Sequence, residues 1–416
     1  MSDRASRIAR FVATRGATES IAAWLSPEDQ LLQSMPDCSP TKWHRAHTSW
    51  FFEEFLLGPQ GVAPHDAAYR YLFNSYYEAV GPRHPRPQRG LLSRPTCDEV
   101  SAWRREVDGR VVALLESCDE AALASLGPVL DLGIAHEEQH QELMLTDILH
   151  AFSQHPLRPR VRPEAPALAP ADAPPMRWID HPGGLFEVGH DGEGFAFDNE
   201  GPRHRVFLEP FSLASRPVTA GELRAFIEEG GYREPRWWLS EGWAWVQAHA
   251  RVAPHNAALR DGRLVVFGVD GEREARDDEP AAHLTLYEAD ALARFLGGRL
   301  PTEFEWEVIA AQADPSQAND REAGALRPMP GAGDGVTQMF GDVWEWTASA
   351  YSPYPGFRPG DGAIGEYNGK FMVSQQVLRG GSCFTPRGHA RGSYRNFWHP
   401  HTLFQMTGAR VARDTR

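Results

Sequence analysis

Apolar residues recur at spacings of three and four along residues 2–24, 40–57, 97–120 and 121–152, the period of helices that bury one face. Four such segments within the first 155 residues predict a helical bundle. Ser39 or Thr41 is placed to cap the second helix, with Pro40 near its start. Beyond residue 177 the period changes. Short β-like runs (Gly184-Leu-Phe-Glu-Val-Gly, Arg205-Val-Phe-Leu, Arg263-Leu-Val-Val-Phe and Val377-Leu-Arg) stand between Gly- and Pro-rich loops. Helical stretches at Ala220–Glu229, Tyr287–Leu296 and Thr302–Ala311 interrupt them. Between the two halves, residues 156–176 are dense in proline, which predicts an extended, semi-rigid linker. No internal repeat of fixed period is present. The expectation is a bundle over 1–155, a linker over 156–176 and a loop-rich α+β domain over 177–416.

Composition narrows this picture. A chain of 416 residues exceeds one typical core, so two domains are natural. A net charge of −14 argues against a nucleic-acid or anionic-membrane partner. No apolar run approaches the roughly 20 residues that span a bilayer, and the N-terminal stretch lacks the apolar core of a signal peptide. Cys38, Cys97, Cys118 and Cys383 form neither a disulfide framework nor a CxxC site. A reduced, cytoplasmic protein is expected. The 13 Trp, 38 Gly and 33 Pro suggest a loop-rich portion pinned by buried aromatics.

The chemistry concentrates in His136-Glu-Glu-Gln-His140, on a segment with neither Pro nor Gly between Ala135 and His150. Histidines four apart on a helix share one face, and both imidazoles can reach one divalent metal. The same five residues satisfy HExxH, so a zinc hydrolase with Glu137 as general base stands beside other metal chemistry. The bland reading is a polar helix face that carries two histidines. A third ligand is expected from a facing helix of the bundle. His44 and His47 in Thr41-Lys-Trp-His-Arg-Ala-His-Thr supply two options, and spacing does not choose between them. Three imidazoles suit Fe(II), Zn(II) or Cu(II). Glu137, Glu138, Glu142 and Asp147 are possible partners for the ring N–H groups.

Several longer stretches carry a family resemblance. These are Thr41-Lys-Trp-His-Arg-Ala-His-Thr, Tyr71-Leu-Phe-Asn-Ser-Tyr-Tyr-Glu-Ala-Val-Gly, Arg83-His-Pro-Arg-Pro-Gln-Arg-Gly and His136-Glu-Glu-Gln-His-Gln-Glu. The series continues in Phe195-Ala-Phe-Asp-Asn-Glu-Gly-Pro-Arg-His, Arg299-Leu-Pro-Thr-Glu-Phe-Glu-Trp-Glu, Gly341-Asp-Val-Trp-Glu-Trp-Thr and Leu378-Arg-Gly-Gly-Ser. In order and over nearly the whole chain, they resemble the ergothioneine-biosynthesis sulfoxide synthases. The resemblance implies a DinB-like four-helix bundle joined to a domain of the formylglycine-generating-enzyme type, a C-type-lectin-like fold. It implies a non-haem Fe(II) enzyme with O2 as co-substrate. Such an enzyme joins a thiol to the imidazole C2 of hercynine (Nα-trimethylhistidine) to give a sulfoxide.

By the same resemblance the metal ligands are His47, His136 and His140. Gln139 matches a residue near the hercynine imidazole, and Arg86 and Arg89 match the pair that holds the carboxylate of the sulfur donor. Asn396 matches a hercynine contact, with Phe397 and Trp398 lining that pocket; aromatic faces suit a quaternary ammonium. Tyr77 and Tyr76 are the candidate proton donors. The stretch Asn396-Phe-Trp-His-Pro-His carries no carboxylate where the γ-glutamylcysteine-using branch has one, and Gly362-Ala-Ile-Gly stands where that branch has its tyrosine. The first departure leans toward cysteine as donor, and the second points to Tyr76 or Tyr77 as the proton donor. The segments around Trp398 and Val252-Ala-Pro-His-Asn-Ala also differ from the cysteine-using pattern. The selenoneine synthases, which make a C–Se bond to a selenosugar on the same scaffold, are therefore the alternative. A non-catalytic lectin-like binding protein would leave the histidines and arginines without a shared purpose. Formylglycine generation would need a paired-cysteine copper site that the sequence lacks.

Overall fold

A computed structural model describes residues 3–162 and 174–415. The chain divides into two compact units: Met1–Pro163 with Gly360–Tyr367, and Glu164–Pro359 with Asn368–Arg416. Most of the expected proline-rich linker lies outside the described residues.

The first unit is built on helices. They are α1 (Asp3–Ala22), α2 (Thr41–Phe52), the short α3 (Tyr69–Phe73), α4 (Cys97–Ser117) and α5 (Glu120–Gln154). The four long helices fall on the four periodic segments of the sequence. Starts are set locally. At α4, Thr96 accepts from the Glu99 backbone while the Glu99 side chain reaches back, a reciprocal cap. At α5, Asp119 accepts from the Ala122 backbone. Neither Ser39 nor Thr41 caps α2: its cap position is Pro40, with no side-chain bond. Ser39 is engaged elsewhere, its backbone N–H bonding Asp147 and its hydroxyl accepting from Arg89. Past Phe52, residues Glu53–Leu57 widen into a π-helical turn, a distortion that often accompanies functional sites.

Helix α2 packs against both α4 and α5, and α1 does the same. The core between them is Phe11, Trp43, Trp50, Phe51, Phe52, Trp103, Val107, Leu130, Ile134 and Leu145. The second half of α5 is buried on nearly every side, including His136, Glu137, Glu138, Gln141 and Glu142. Burying so many polar groups is costly unless each is paired, so this stretch needs a network around it.

The second unit is an assembly of small sheets and short helices. Strands β1 (Trp178–His181), β4 (Phe211–Ala214) and β12 (Ala412–Asp414) form one sheet in the order β1-β4-β12. A hairpin pairs β2 (Gly184–Val188) with β3 (His204–Leu208). A meander joins β5 (Ala257–Arg260), β6 (Arg263–Gly268) and β7 (Gly271–Glu274). The remaining sheet has the order β10-β9-β8-β11, from β8 (Trp344–Ala350), β9 (Gln376–Arg379), β10 (Asn396–Trp398) and β11 (Thr407–Ala409). Helices α6 (Ala220–Glu228), α8 (Leu286–Phe295) and α9 (Glu303–Ala310) each begin with a Thr/Glu capping box, at Thr219, Thr285 and Thr302. The sequence reading missed α7 (Ser240–Ala248), which starts at Leu239 with no side-chain cap. The core gathers Leu208, Phe211, Leu213, Trp306, Ile309, Met339 and Phe340. Among the described residues, no helix is long and apolar enough to cross a membrane.

Candidate metal centre

Helix α2 presents His44 and His47, and the facing stretch of α5 presents His136 and His140. The structure selects between the first two. His47, His136 and His140 offer one ligating atom each, all within 4.8 Å of one another. His47 Nε2 lies 3.1 Å from His136 Nε2. The three rings meet edge-on, with centroids 4.9, 4.7 and 4.5 Å apart.

The hydrogen bonds behind the rings set which nitrogen faces inward. His47 Nδ1 donates to the Phe73 carbonyl at 2.6 Å, which leaves Nε2 as the lone-pair nitrogen. His140 Nδ1 lies 2.7 Å from His44 Nδ1, and His44 Nε2 lies 3.0 Å from Asp147 Oδ2. The carboxylate can only accept, so His44 donates from Nε2 and accepts at Nδ1 from His140. That again leaves His140 Nε2 as the lone-pair nitrogen. Asp147 is itself held by the Ser39 backbone N–H at 2.8 Å. His44, rather than supplying a ligating atom to the cluster, orients one that does. His136 Nδ1 is buried with no hydrogen-bond partner among the described residues.

Burial keeps all three imidazoles neutral. It drives His136 down to about 3, and holds His47 and His140 well below the usual histidine range, the neighbouring rings adding to the effect. Neutral imidazole is the state that ligates a cation. Three converging lone pairs are a donor set that fits a divalent transition metal.

Glu137 points the other way. Its carboxylate takes Arg15 at 2.7 Å, Arg104 at 2.9 Å and the Thr18 hydroxyl at 2.6 Å. Burial alone would raise its pKa, but the two guanidinium groups and Thr18 bring it to about 2. A saturated, permanently ionised carboxylate is no general base, so the hydrolase reading of HExxH lacks its central residue.

The two predicted arginines have different settings. Arg89 is buried with its Cζ over the Trp43 ring, 3.4 Å from the centroid, while Nη1 donates to Ser39 Oγ at 3.0 Å. Trp43 in turn stacks on His47 at 4.6 Å. Burial, with Arg86 and Arg83 nearby, pushes the Arg89 pKa well below the usual arginine value; a carboxylate would relieve that. Arg86 is exposed, its guanidinium donating to the Asp37 carbonyl.

The Tyr76–Tyr77 loop is fixed by Asn74. Its amide donates to the Tyr77 and Gly81 carbonyls at 3.0 and 3.1 Å and accepts from the Tyr77 N–H at 3.0 Å. Tyr77 is fully buried against Trp50, Phe51 and Phe55 and stacks on Tyr76 at 4.6 Å. Burial, then the Tyr76 and Tyr367 phenols, push its pKa well above the ordinary tyrosine value. A proton is thus retained there at any physiological pH.

Tyr367 was not anticipated from the sequence. It belongs to the helical unit through Gly360–Tyr367. Its hydroxyl donates to Gln139 Oε1, and its ring meets His136 edge-on at 5.7 Å. Nothing in the local pattern marks it, since its partner lies 228 positions earlier in the chain. Asn396, Phe397 and Trp398 make up β10 in the second unit. There Phe397 stacks on Tyr351 at 4.0 Å and Asn396 Oδ1 accepts from the Phe397 N–H at 2.8 Å.

Comparison with known proteins agrees with this architecture. Residues 10–144 match the DinB superfamily, and residues 165–325 and 321–415 match the Sulfatase-modifying factor enzyme 1-like domain. Hercynine oxygenase from Mycolicibacterium smegmatis is 35% identical over 418 residues, 92% of each chain. Hercynine oxygenase from Mycobacterium tuberculosis is 32% identical, covering 91% of this chain and 92% of that one. Ergothioneine biosynthesis protein 1 of Schizosaccharomyces pombe is 28% identical over 53% of this chain and 28% of its own length. The fold and these matches define an oxidoreductase that joins a DinB-type helical bundle to a formylglycine-generating-enzyme-type domain. The chain belongs to the hercynine oxygenase family.

Proposed function

We propose that this protein is a non-haem iron oxygenase that joins hercynine to a thiol in ergothioneine biosynthesis. Hercynine C2–H, the thiol S–H and O2 would give the C2 sulfoxide and water, one oxygen atom going to each product. The observation that carries this reading is the cluster of three converging imidazoles, two buried and one half-buried, in a chain 35% identical to a hercynine oxygenase along 92% of its length. We further assign the helical bundle to residues 1–155 and the second domain to 177–416.

His47, His136 and His140 would hold the metal. An Fe(II) bound there would supply the binding and activation of O2 and of the sulfur donor. Every other task falls to side chains. Arg89, a buried cation with no carboxylate ion pair among the described residues, fits the donor's carboxylate, with the exposed Arg86 as the second arginine of the pair. Gln139, between the two α5 histidines, fits the hercynine imidazole. Tyr77 or Tyr76 fits the proton donor, because a phenol whose pKa is raised keeps its proton until an anion forms next to it. Asn396, Phe397 and Trp398 fit the trimethylammonium end. The protein would work in the cytoplasm, on small molecules only.

Cysteine is the donor favoured by the absence of a carboxylate after Asn396. The altered segment around Trp398 keeps a selenosugar as the second reading, with a C–Se bond formed instead. The test loads the protein anaerobically with Fe(II), adds hercynine and O2, and offers cysteine, γ-glutamylcysteine and a selenosugar separately, with products read by mass spectrometry. Hercynyl-cysteine sulfoxide is expected. A selenium adduct alone would reassign the donor, and no product from any donor would sink the carbon–chalcogen reading.

A further inference from the structure

Gln33 stands in the stretch between α1 and α2, and both ends of its amide are engaged. Nε2 donates to the Cys38 carbonyl at 2.9 Å and to the Arg86 carbonyl at 2.8 Å, while Oε1 accepts from the Gly90 N–H at 2.6 Å. Arg86 opens the 3-10 helical turn Arg86–Leu91, and Gly90 directly follows Arg89 within it. One side chain therefore grips the backbone at either side of both arginines.

The arginine side chains return to the loop that Gln33 holds. The Arg86 guanidinium donates to the Asp37 carbonyl, and Arg89 Nη1 donates to Ser39 Oγ at 3.0 Å. Asp37 and Ser39 flank Cys38, whose carbonyl Gln33 takes. The turn's backbone and its two guanidinium groups thus share a single anchor. Gly90 makes room for it: a Cβ there would lie 2.9 Å from Gln33 Cβ and 3.2 Å from Oε1. Beyond the turn, the Lys42 ammonium holds the Leu92 and Pro95 carbonyls, both at 2.7 Å.

A guanidinium binds a carboxylate through two parallel N–H bonds only when its plane is correctly set. Holding the backbone and the resting acceptors of two arginines in one frame removes an ordering cost from that binding. We propose that Gln33 is a positioning residue for the sulfur donor: by clipping the turn to residues 37–39, it sets the Arg86 and Arg89 guanidinium groups for a shared carboxylate. This deepens the reading of the two arginines as the donor's carboxylate clamp and rests on it.

The experiment uses the full-length protein loaded anaerobically with Fe(II). Gln33→Met keeps the reach of the side chain and removes its three hydrogen bonds. The probes are cysteine and cysteamine, which has the same thiol and amine but no carboxylate. Cysteine affinity, read by calorimetry, is expected to weaken about three- to tenfold, and cysteamine affinity less than about twofold. The KM for cysteine is expected to rise by the same factor, with kcat at saturating cysteine within about twofold, as when uniform binding is lost. Backbone amide exchange over residues 86–91 is expected to quicken about tenfold, with exchange in α5 unchanged. Gly90→Ala crowds the same clip from the opposite side and is expected to reproduce the pattern, which keeps the test standing if Gln33→Met folds poorly.

Equal weakening toward cysteine and cysteamine would overturn the proposal, because the loss would not pass through the carboxylate. Unchanged cysteine affinity in both variants, or a loss confined to kcat, would overturn it as well. If the unaltered protein holds cysteine no more tightly than cysteamine, the carboxylate-clamp reading of the arginines fails first, whatever the variants do.

Discussion

Neighbouring residues of one motif are assigned to different tasks here. His136 and His140 turn toward His47, while Glu137 turns into an ion network with Arg15 and Arg104. Removing one partner of such a buried network strands the others, a cost of about 3–5 kcal/mol. Glu137→Gln is therefore expected to lower the urea midpoint sharply while leaving the three-histidine cluster's uptake of a divalent transition metal per folded molecule intact. His47→Ala, which removes one of the three converging imidazoles, is expected to do the reverse, lowering that uptake with a smaller effect on unfolding. Behind the three rings, the chain Asp147–His44–His140 sets a ring orientation. His44→Phe is expected to weaken metal affinity about 10- to 100-fold, read by competition against a chelator. The HxxxH spacing made the α5 pair legible in the sequence. The choice between His44 and His47 was not legible from spacing, because residues three apart share a helix face and only the crossing of α2 over α5 decides which ring reaches the cluster.

At the scale of elements, the contact of α2 with α5 fixes the geometry of the cluster. It depends on Gly133, where a Cβ would lie 2.5 Å from Phe52 Cε1 and 3.1 Å from Phe51 Cε1. Both phenylalanines are buried, and Phe51 lies 4.6 Å from the His136 ring. Gly133→Ala would gain about 1 kcal/mol of helix propensity, but overpacking costs about 1–3 kcal/mol. A net loss of stability is expected in denaturant unfolding, with the disturbance reaching the histidine cluster through the Phe51 contact to His136. Elements with strong local signals were visible in advance: the long helices from their period, and α6, α8 and α9, whose Thr/Glu caps frame them. Helix α7 was not, since Leu239 gives no cap and Gly242 interrupts its pattern. The aromatic run at β10 fitted a pocket wall and a core strand of a Trp-rich domain equally well. Three residues are too few for an alternation to show.

Taken whole, the molecule carries a pH-sensitive weak point in its second unit. Asp342 is fully buried and accepts from Asn319 at 2.7 Å, the Met329 N–H at 2.8 Å and Gln338 at 2.9 Å. Burial outweighs these bonds and raises its pKa from 3.8 to about 6. A carboxyl with a raised folded value contributes stability that is fully present below 3.8 and lost as pH rises through about 6. The loss is on the order of 3 kcal/mol. Asp342→Asn cannot ionise, so its stability is expected to vary less between about pH 4 and 6, measured as unfolding free energy against pH. An unchanged slope would place the titration elsewhere. The two-part organisation was legible from the change of period near residue 177; the return of Gly360–Tyr367 to the helical unit was not, because no periodicity records long-range pairing.

That return has a consequence for how such proteins can be recombined. A swap of the C-terminal half at the residue 162–174 junction would carry away the segment that holds Glu366 and Tyr367 and leave the bundle with its three histidines alone. Shuffling among relatives would then preserve the histidine cluster while removing the Glu366 and Tyr367 contacts to the bundle, unless residues 360–367 travel with the unit they pack in. The inheritable module is discontinuous in the gene.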